Sequence, residues 1–377
     1  MNKTLIMTPG PTSVRENVRL ARAKETTNPD IDEKFYEFYK ETCHKLGIFL
    51  NTNNEVRILS GEGILGLEAA CASLTERGDR VLIIENGIFG EGFGDFVKIY
   101  GGEPFYFRNN RKRKVDIEEL KSFLEKDSNF KYATIVHCDT PSGVLNDIDK
   151  ICPILKEKGI LTVVDSVAGM GGEELQVDNW KIDIALGASQ KCLSAPPGLT
   201  FLSISEDAFQ SMENRKNPIA SFYCNLLVWK DYYKNKWFPY TPPISDIIGL
   251  DKAVDNLLNE KNIIERHDKI ASATRAAIVS AGLKIHIEEG YSNTVTVIDV
   301  PHGINDKKII KYMLDNYGVM ITGSFGYLEG RVLRIGHMGE NATVEKVSYT
   351  LFALQKALEH YGYTFYKDIV SIFFERI

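Results

Sequence analysis

Short, uniformly apolar runs alternate with amphipathic stretches up to about residue 250. Arg80-Val81-Leu82-Ile83-Ile84, Ala133-Thr134-Ile135-Val136-His137 and Ile160-Leu161-Thr162-Val163-Val164-Asp165 predict buried strands. So do Ile182-Asp183-Ile184-Ala185-Leu186 and Leu199-Thr200-Phe201-Leu202-Ser203-Ile204. Apolar residues at helical spacing over 64–74, 117–125 and 147–158 predict helices between them. A strand that is apolar on both faces must be covered on both faces. Alternation of such strands with helices therefore predicts an α/β architecture with a mostly parallel sheet.

The pattern changes after about residue 250. Residues 253–281 read as one long helix or two, followed by strand-like Thr294-Val295-Thr296-Val297-Ile298, a helix over 306–317, the runs Gly318-Val319-Met320-Ile321 and Arg331-Val332-Leu333-Arg334-Ile335, and a late helix over 343–360. This predicts a smaller α+β unit. The expected division is an N-terminal arm over 1–14, a large domain over 15–262 and a small C-terminal domain over 263–377.

Composition narrows the function classes. The 377 residues are 44% hydrophobic and 25% charged, with a net charge of −6, values of an ordinary soluble globular protein. Nothing in that balance attracts a polyanion, so no nucleic-acid partner is expected. The basic run Arg111-Lys112-Arg113-Lys114 has no interleaved aromatics and reads as a solvated loop. No apolar run is long enough to span a bilayer, and the first residues lack a signal-peptide pattern, so a cytoplasmic protein with no membrane partner is expected. The six cysteines form no CxxC pair and read as buried, reduced thiols, with no metal site indicated by their spacing.

Three segments carry candidate chemistry. Asp165 ends a buried strand, where ligands bind in open α/β sheets, and a buried carboxylate needs a cationic partner. Lys191, in Ser189-Gln190-Lys191, follows another such strand among small and polar neighbours. A desolvated lysine has a lowered pKa and can form a Schiff base. Ser60-Gly61-Glu62-Gly63-Ile64 is a glycine-rich turn that opens a helix, whose free N–H groups favour an anion. Lysine, carboxylate and helix N-terminus together describe a pyridoxal site, in which the carboxylate keeps the pyridine nitrogen protonated.

With these segments, Thr8-Pro9-Gly10-Pro11, Val164-Asp165-Ser166-Val167 and Leu333-Arg334-Ile335-Gly336 resemble the landmarks of the class V aminotransferases of the fold-type I pyridoxal-phosphate superfamily, over nearly the whole chain. Alanine–glyoxylate aminotransferases share these motifs. Gly61-Glu62, Asp139-Thr140-Pro141-Ser142-Gly143 and Arg334-Ile335-Gly336-His337-Met338-Gly339 are more narrowly similar to the pyridoxamine–pyruvate branch, which uses the unphosphorylated vitamer as a substrate.

The resemblance implies a fold-type I aminotransferase: a large, mostly parallel-sheet domain and a smaller α+β domain. It implies Lys191 and Asp165 as catalytic residues, with pyridoxal held as a Schiff base on Lys191. Gly61, Glu62, Gly63, Ile64 and Gln190 are then expected to contact the vitamer. Phe89 and Val167 would lie on the two faces of its ring, and Thr140 at its phenolic oxygen. Thr241 would reach the site across the interface of a homodimer, which could pair into a tetramer. Arg334 would pair with the carboxylate of a small amino or keto acid. In phosphate-binding relatives a small hydroxyl residue typically replaces Glu62. Two phosphate charges ~4 Å from a carboxylate repel it by about 8 kcal/mol at an effective dielectric of ~20. The expected reaction is therefore pyridoxamine plus pyruvate to pyridoxal plus L-alanine. The alternative is permanently bound pyridoxal 5′-phosphate and alanine–glyoxylate chemistry, in which Glu62 merely caps its helix and points to solvent. One departure bears on the acceptor: the pyridoxamine–pyruvate branch has a second arginine where this chain carries Phe325. His137 is read as a core histidine.

Overall fold

A computed structural model describes residues 4–377. Its centre is a seven-stranded sheet in the order Glu55–Ser60, Leu199–Ile204, Ile184–Ala188, Leu161–Asp165, Tyr132–Val136, Arg80–Glu85, Glu103–Arg108. Only Leu199–Ile204 runs against its neighbours. The inner strands are buried almost throughout, because helices cover both faces. Five of these strands match the apolar runs of the sequence.

The two others did not stand out, for local reasons. Glu55–Ser60 carries Arg57 in its middle. That side chain is buried nonetheless, its guanidinium donating to the carbonyls of Val56 at 2.9 Å and Trp229 at 3.3 Å. Glu103–Arg108 carries Pro104, which an edge strand tolerates because one side of its backbone has no partner.

One hydrophobic core lies around this sheet and runs on to Ile263. A second begins at Ile270 and includes Leu333, Ile335, Leu351, Leu354 and Phe373. The segment read as one helix or two is two, Ile244–Leu258 and Ile263–Ser280. The strand Val295–Asp299 pairs antiparallel with Val332–Gly336. The beginning of the chain joins the second core rather than the first: Leu5–Ile6 pairs parallel with Val319–Met320, and Met7 is fully buried there. The chain then crosses to the large sheet, where Thr12 N–H donates to the Gln190 carbonyl at 3.0 Å and its hydroxyl to that of Lys191 at 2.9 Å. No helix among the described residues is long and apolar enough to cross a membrane. Three members of the basic run are ion-paired: Arg111 with Glu85 and Glu91, Arg113 with Glu288, and Lys114 with Asp147.

Candidate active site

The parallel strands all present their C-terminal ends to one edge of the sheet, and the turns leaving that edge converge on a cavity of about 150 Å³. Asp165 is the last residue of Leu161–Asp165. Gln190 and Lys191 lie in the turn after Ile184–Ala188. Thr140 follows the short strand Cys138–Asp139, Phe89 sits in the first turn of helix Ile88–Ile99, and Glu62 caps helix Gly63–Leu74. Together with Gly63, Ile64 and Val167, these residues line the cavity. Gly63 is required by close approach, since a Cβ there would fall 2.9 Å from Val167 Cγ2.

Lys191 Nζ donates to the Pro9 carbonyl at 2.6 Å. Burial, aided by the Arg334 guanidinium, pushes its pKa below the ordinary lysine range, against the pull of Asp165. Asp165 is 6% exposed. Burial raises its pKa to about 7, although Val167 N–H donates to it at 2.9 Å and Lys191 also favours its charge. The cavity thus holds a lysine that resists its charge and a carboxylate short of positive partners.

Glu62 does two things that the sequence reading set against each other. Its Oε1 accepts from Ile64 N–H at 3.1 Å, the contact of a helix cap, and the residue also lines the cavity. Its charge is felt inside, where it opposes ionisation of Asp165. The carboxylate therefore occupies the helix N-terminus that would otherwise receive an anion.

Arg334 is 8% exposed. Its Nε donates to the Gly323 carbonyl at 2.6 Å and its Nη1 to the Thr140 carbonyl at 3.4 Å, which places it beside the cavity wall. No carboxylate of the described residues lies within ion-pair distance of it, and burial lowers its pKa to about 10.

One expected contact, Gly61, lies elsewhere, and Thr241, expected to act across a dimer interface, lies away from this chain's own cavity. Gly61 does not line the cavity; its N–H donates to the Gly198 carbonyl at 2.8 Å, and its missing Cβ leaves room for Leu65. Thr241 is exposed and its hydroxyl donates to Asp30 at 3.1 Å. His137 is buried against the Ser166 hydroxyl at 2.9 Å, and burial lowers its pKa to about 4. Other residues of the quoted motifs, and Cys138, also contribute. Cys138, Gly10 and Pro11 line the cavity. Asp139 organises its wall, accepting from Phe89 N–H at 3.3 Å and the Ser142 hydroxyl at 2.7 Å. Gly10 has φ +84°, and a Cβ there would come within 2.8 Å of Lys191 Nζ. Gly10→Ala is accordingly expected to displace Lys191 and destabilise the protein by about 1–3 kcal/mol; an unchanged melting temperature would contradict that packing.

The residues fit a pyridoxal group on grounds internal to this structure. The buried Oε1 of Gln190, at the cavity wall, has no hydrogen-bond partner. Among the described residues no cation lies within ion-pair distance of Asp165, so a pyridinium N–H would complete it. Lys191 itself takes the space that a side chain at residue 10 would fill, which keeps its amine at the cavity wall. Among the described residues no cluster of His, Cys, Asp or Glu is placed to hold a metal ion.

The sequence profile of the family described as Aminotransferase class-V matches residues 16–328. An uncharacterised aminotransferase of Methanocaldococcus jannaschii is 34% identical, over 96% of this chain and 94% of that protein. The pyridoxamine–pyruvate transaminase of Mesorhizobium japonicum is 33% identical, over 95% and 92%. The crystal structure of ureidoglycine–glyoxylate aminotransferase from Bacillus subtilis superposes with a TM-score of 0.95 at 28% identity, covering 100% of this chain and 98% of that one.

Proposed function

The chain belongs to the class V aminotransferases and is an aminotransferase of the fold-type I architecture; from that premise we propose that it transfers an amino group between an unphosphorylated B6 vitamer and a small 2-oxo acid, pyridoxamine and pyruvate giving pyridoxal and L-alanine. The observation that carries the reading is Glu62, whose carboxylate caps helix Gly63–Leu74 while the residue lines the cavity. A phosphate ester at that helix end would displace the cap and meet a like charge. For two phosphate charges at ~4 Å, the repulsion runs from about 2 kcal/mol in full solvent to about 8 kcal/mol at an effective dielectric of ~20, and Glu62 is exposed enough to lie toward the lower figure. A hydroxymethyl group would donate a hydrogen bond instead.

When bound, the vitamer supplies a carbonyl or amine that carries the nitrogen and a protonated ring that takes up an electron pair. Lys191 and Asp165 hold it, with Phe89 and Val167 at its faces and Thr140 and Gln190 as polar contacts. The disfavoured charge on Lys191 leaves Nζ free to accept a proton and then return it, as a general base and acid must. The Asp165 carboxylate holds a proton on the ring nitrogen. Arg334, buried and without a carboxylate of its own, receives the acid's carboxylate as a charge-assisted pair. Within the same proposal, Thr241 acts at a contact between two copies of the chain, where Phe222, Tyr223 and Trp237 are exposed; a fully active monomer in sedimentation would remove it.

Parallel titration of the chain with pyridoxal and pyridoxal 5′-phosphate, followed by the absorbance of the lysine-bound chromophore, tests the reading. Pyridoxal is expected to bind the more tightly. Glu62→Ser keeps a capping side chain and is expected to shift preference toward the phosphate by roughly 10- to 100-fold. Tighter phosphate binding by the unaltered chain would reject the reading in favour of a permanently held cofactor and glyoxylate chemistry.

A further inference from the structure

The wall beside Arg334 is aromatic. The Phe325 ring centre lies 5.7 Å from the Arg334 guanidinium carbon, within cation–π range. The same ring meets Phe89 edge to face, at 6.0 Å and 76°. The turn that carries it is held close: Gly326 has φ +58°, and a Cβ there would lie 3.2 Å from Ile88 Cδ1, so Phe325 is pressed toward the start of helix Ile88–Ile99. Phe325 is 43% exposed and adjoins the cavity through its contact with the lining residue Phe89.

One cation near this turn, Arg111, is already engaged. Arg111 stacks on Tyr327, 4.7 Å from its ring centre. Its Nη2 pairs with Glu91 at 2.7 Å and with Glu85 at 3.4 Å. A second carboxylate on a substrate held by Arg334 would therefore face two aromatic rings, with Arg111 already held by two acids.

We infer that Phe325 is a specificity-determining residue: with Phe89 it forms an apolar wall beside Arg334 that admits 2-oxo acids with one carboxylate and an uncharged side chain, and turns away dicarboxylates. This rests on Arg334 receiving the substrate carboxylate, as proposed above, and is independent of which vitamer is bound. A site that leaves a substrate charge unpaired discriminates far more sharply than one that only adjusts apolar fit.

The unaltered protein decides the matter first. Pyruvate and 2-oxobutanoate are expected to exceed oxaloacetate and 2-oxoglutarate in kcat/KM by at least about 100-fold. Calorimetry with propanoate and succinate gives a readout free of turnover: propanoate should bind and succinate should bind at least about tenfold more weakly. Phe325→Arg is expected to narrow the kinetic ratio by at least about tenfold, whereas Phe325→Leu, which keeps the wall apolar, should preserve it. Comparable use of both acid classes, succinate binding as well as propanoate, or a ratio unmoved by Phe325→Arg in a protein of unchanged melting temperature would each overturn the inference. Failure of the vitamer reading would show instead in the pyridoxal titration, with these ratios intact.

Discussion

Replacing Lys191 with alanine is expected to lower steady-state amino-group transfer by at least ~10⁴-fold, because one amine both holds the vitamer and carries the proton. Among the described residues Lys191 is the one amine lining the cavity, so no neighbour can take its place. The loss should not be structural: its Nζ has a single backbone acceptor, the Pro9 carbonyl, and an alanine would relieve a buried amine whose charge is disfavoured. Lys191→Arg should lose activity to a similar degree, since a guanidinium stays charged and cannot act as the base. Turnover assays and melting temperatures on both variants check this. Retained steady turnover in Lys191→Ala would remove the lysine from its assigned role.

Asp165→Asn is expected to move activity and stability in opposite directions. Its folded-state pKa, about 7, lies above that of a free carboxyl. The stability this group contributes is therefore fully present below about pH 4, the unfolded value, and is lost as pH rises through about 7. Asparagine removes the titration. Without vitamer, the variant should be more stable than the parent at pH 8, by about 2–4 kcal/mol, and the two should converge near pH 4. Part of the pH dependence will survive, because Glu173, also raised to about 7 by burial, titrates in the same window. Bound vitamer should reverse the order, since a ring N–H stabilises the Asp165 carboxylate. Activity should fall by ~10²-fold or more, for want of a group to keep the ring protonated. Melting curves from pH 4 to 8, with and without pyridoxal, test both halves; a variant less stable than the parent at pH 8 without vitamer would mean that Asp165 is not strained by burial.

Much of the large domain is legible in the sequence, because a strand covered on both faces has to be apolar along its length and declares itself. The strands that are not legible are those whose surroundings supply what the local sequence lacks. Arg57 is tolerated inside Glu55–Ser60 because distant carbonyls meet it, and Pro104 because Glu103–Arg108 lies at an edge. The same distinction runs through the site. Lys191 and Asp165 follow strands and so were bound to reach the same edge of the sheet. Gly10 and the Pro9 carbonyl reach Lys191 only through folding, because Met7 is buried in the second core and the chain then crosses back.

The order of apolar and polar residues by itself determined a parallel α/β layer with a lysine and a carboxylate at its ligand-binding edge, because burial and strand direction are local consequences of pattern. Only the tertiary structure decided that Glu62, while capping its helix, lines the cavity, that Gly61 lies outside the wall, and that Phe325 rests against both Phe89 and Arg334. Apart from the helix cap itself, those are relations between segments far apart in the chain. Contact, desolvation and charge coupling depend on distances that sequence order does not set.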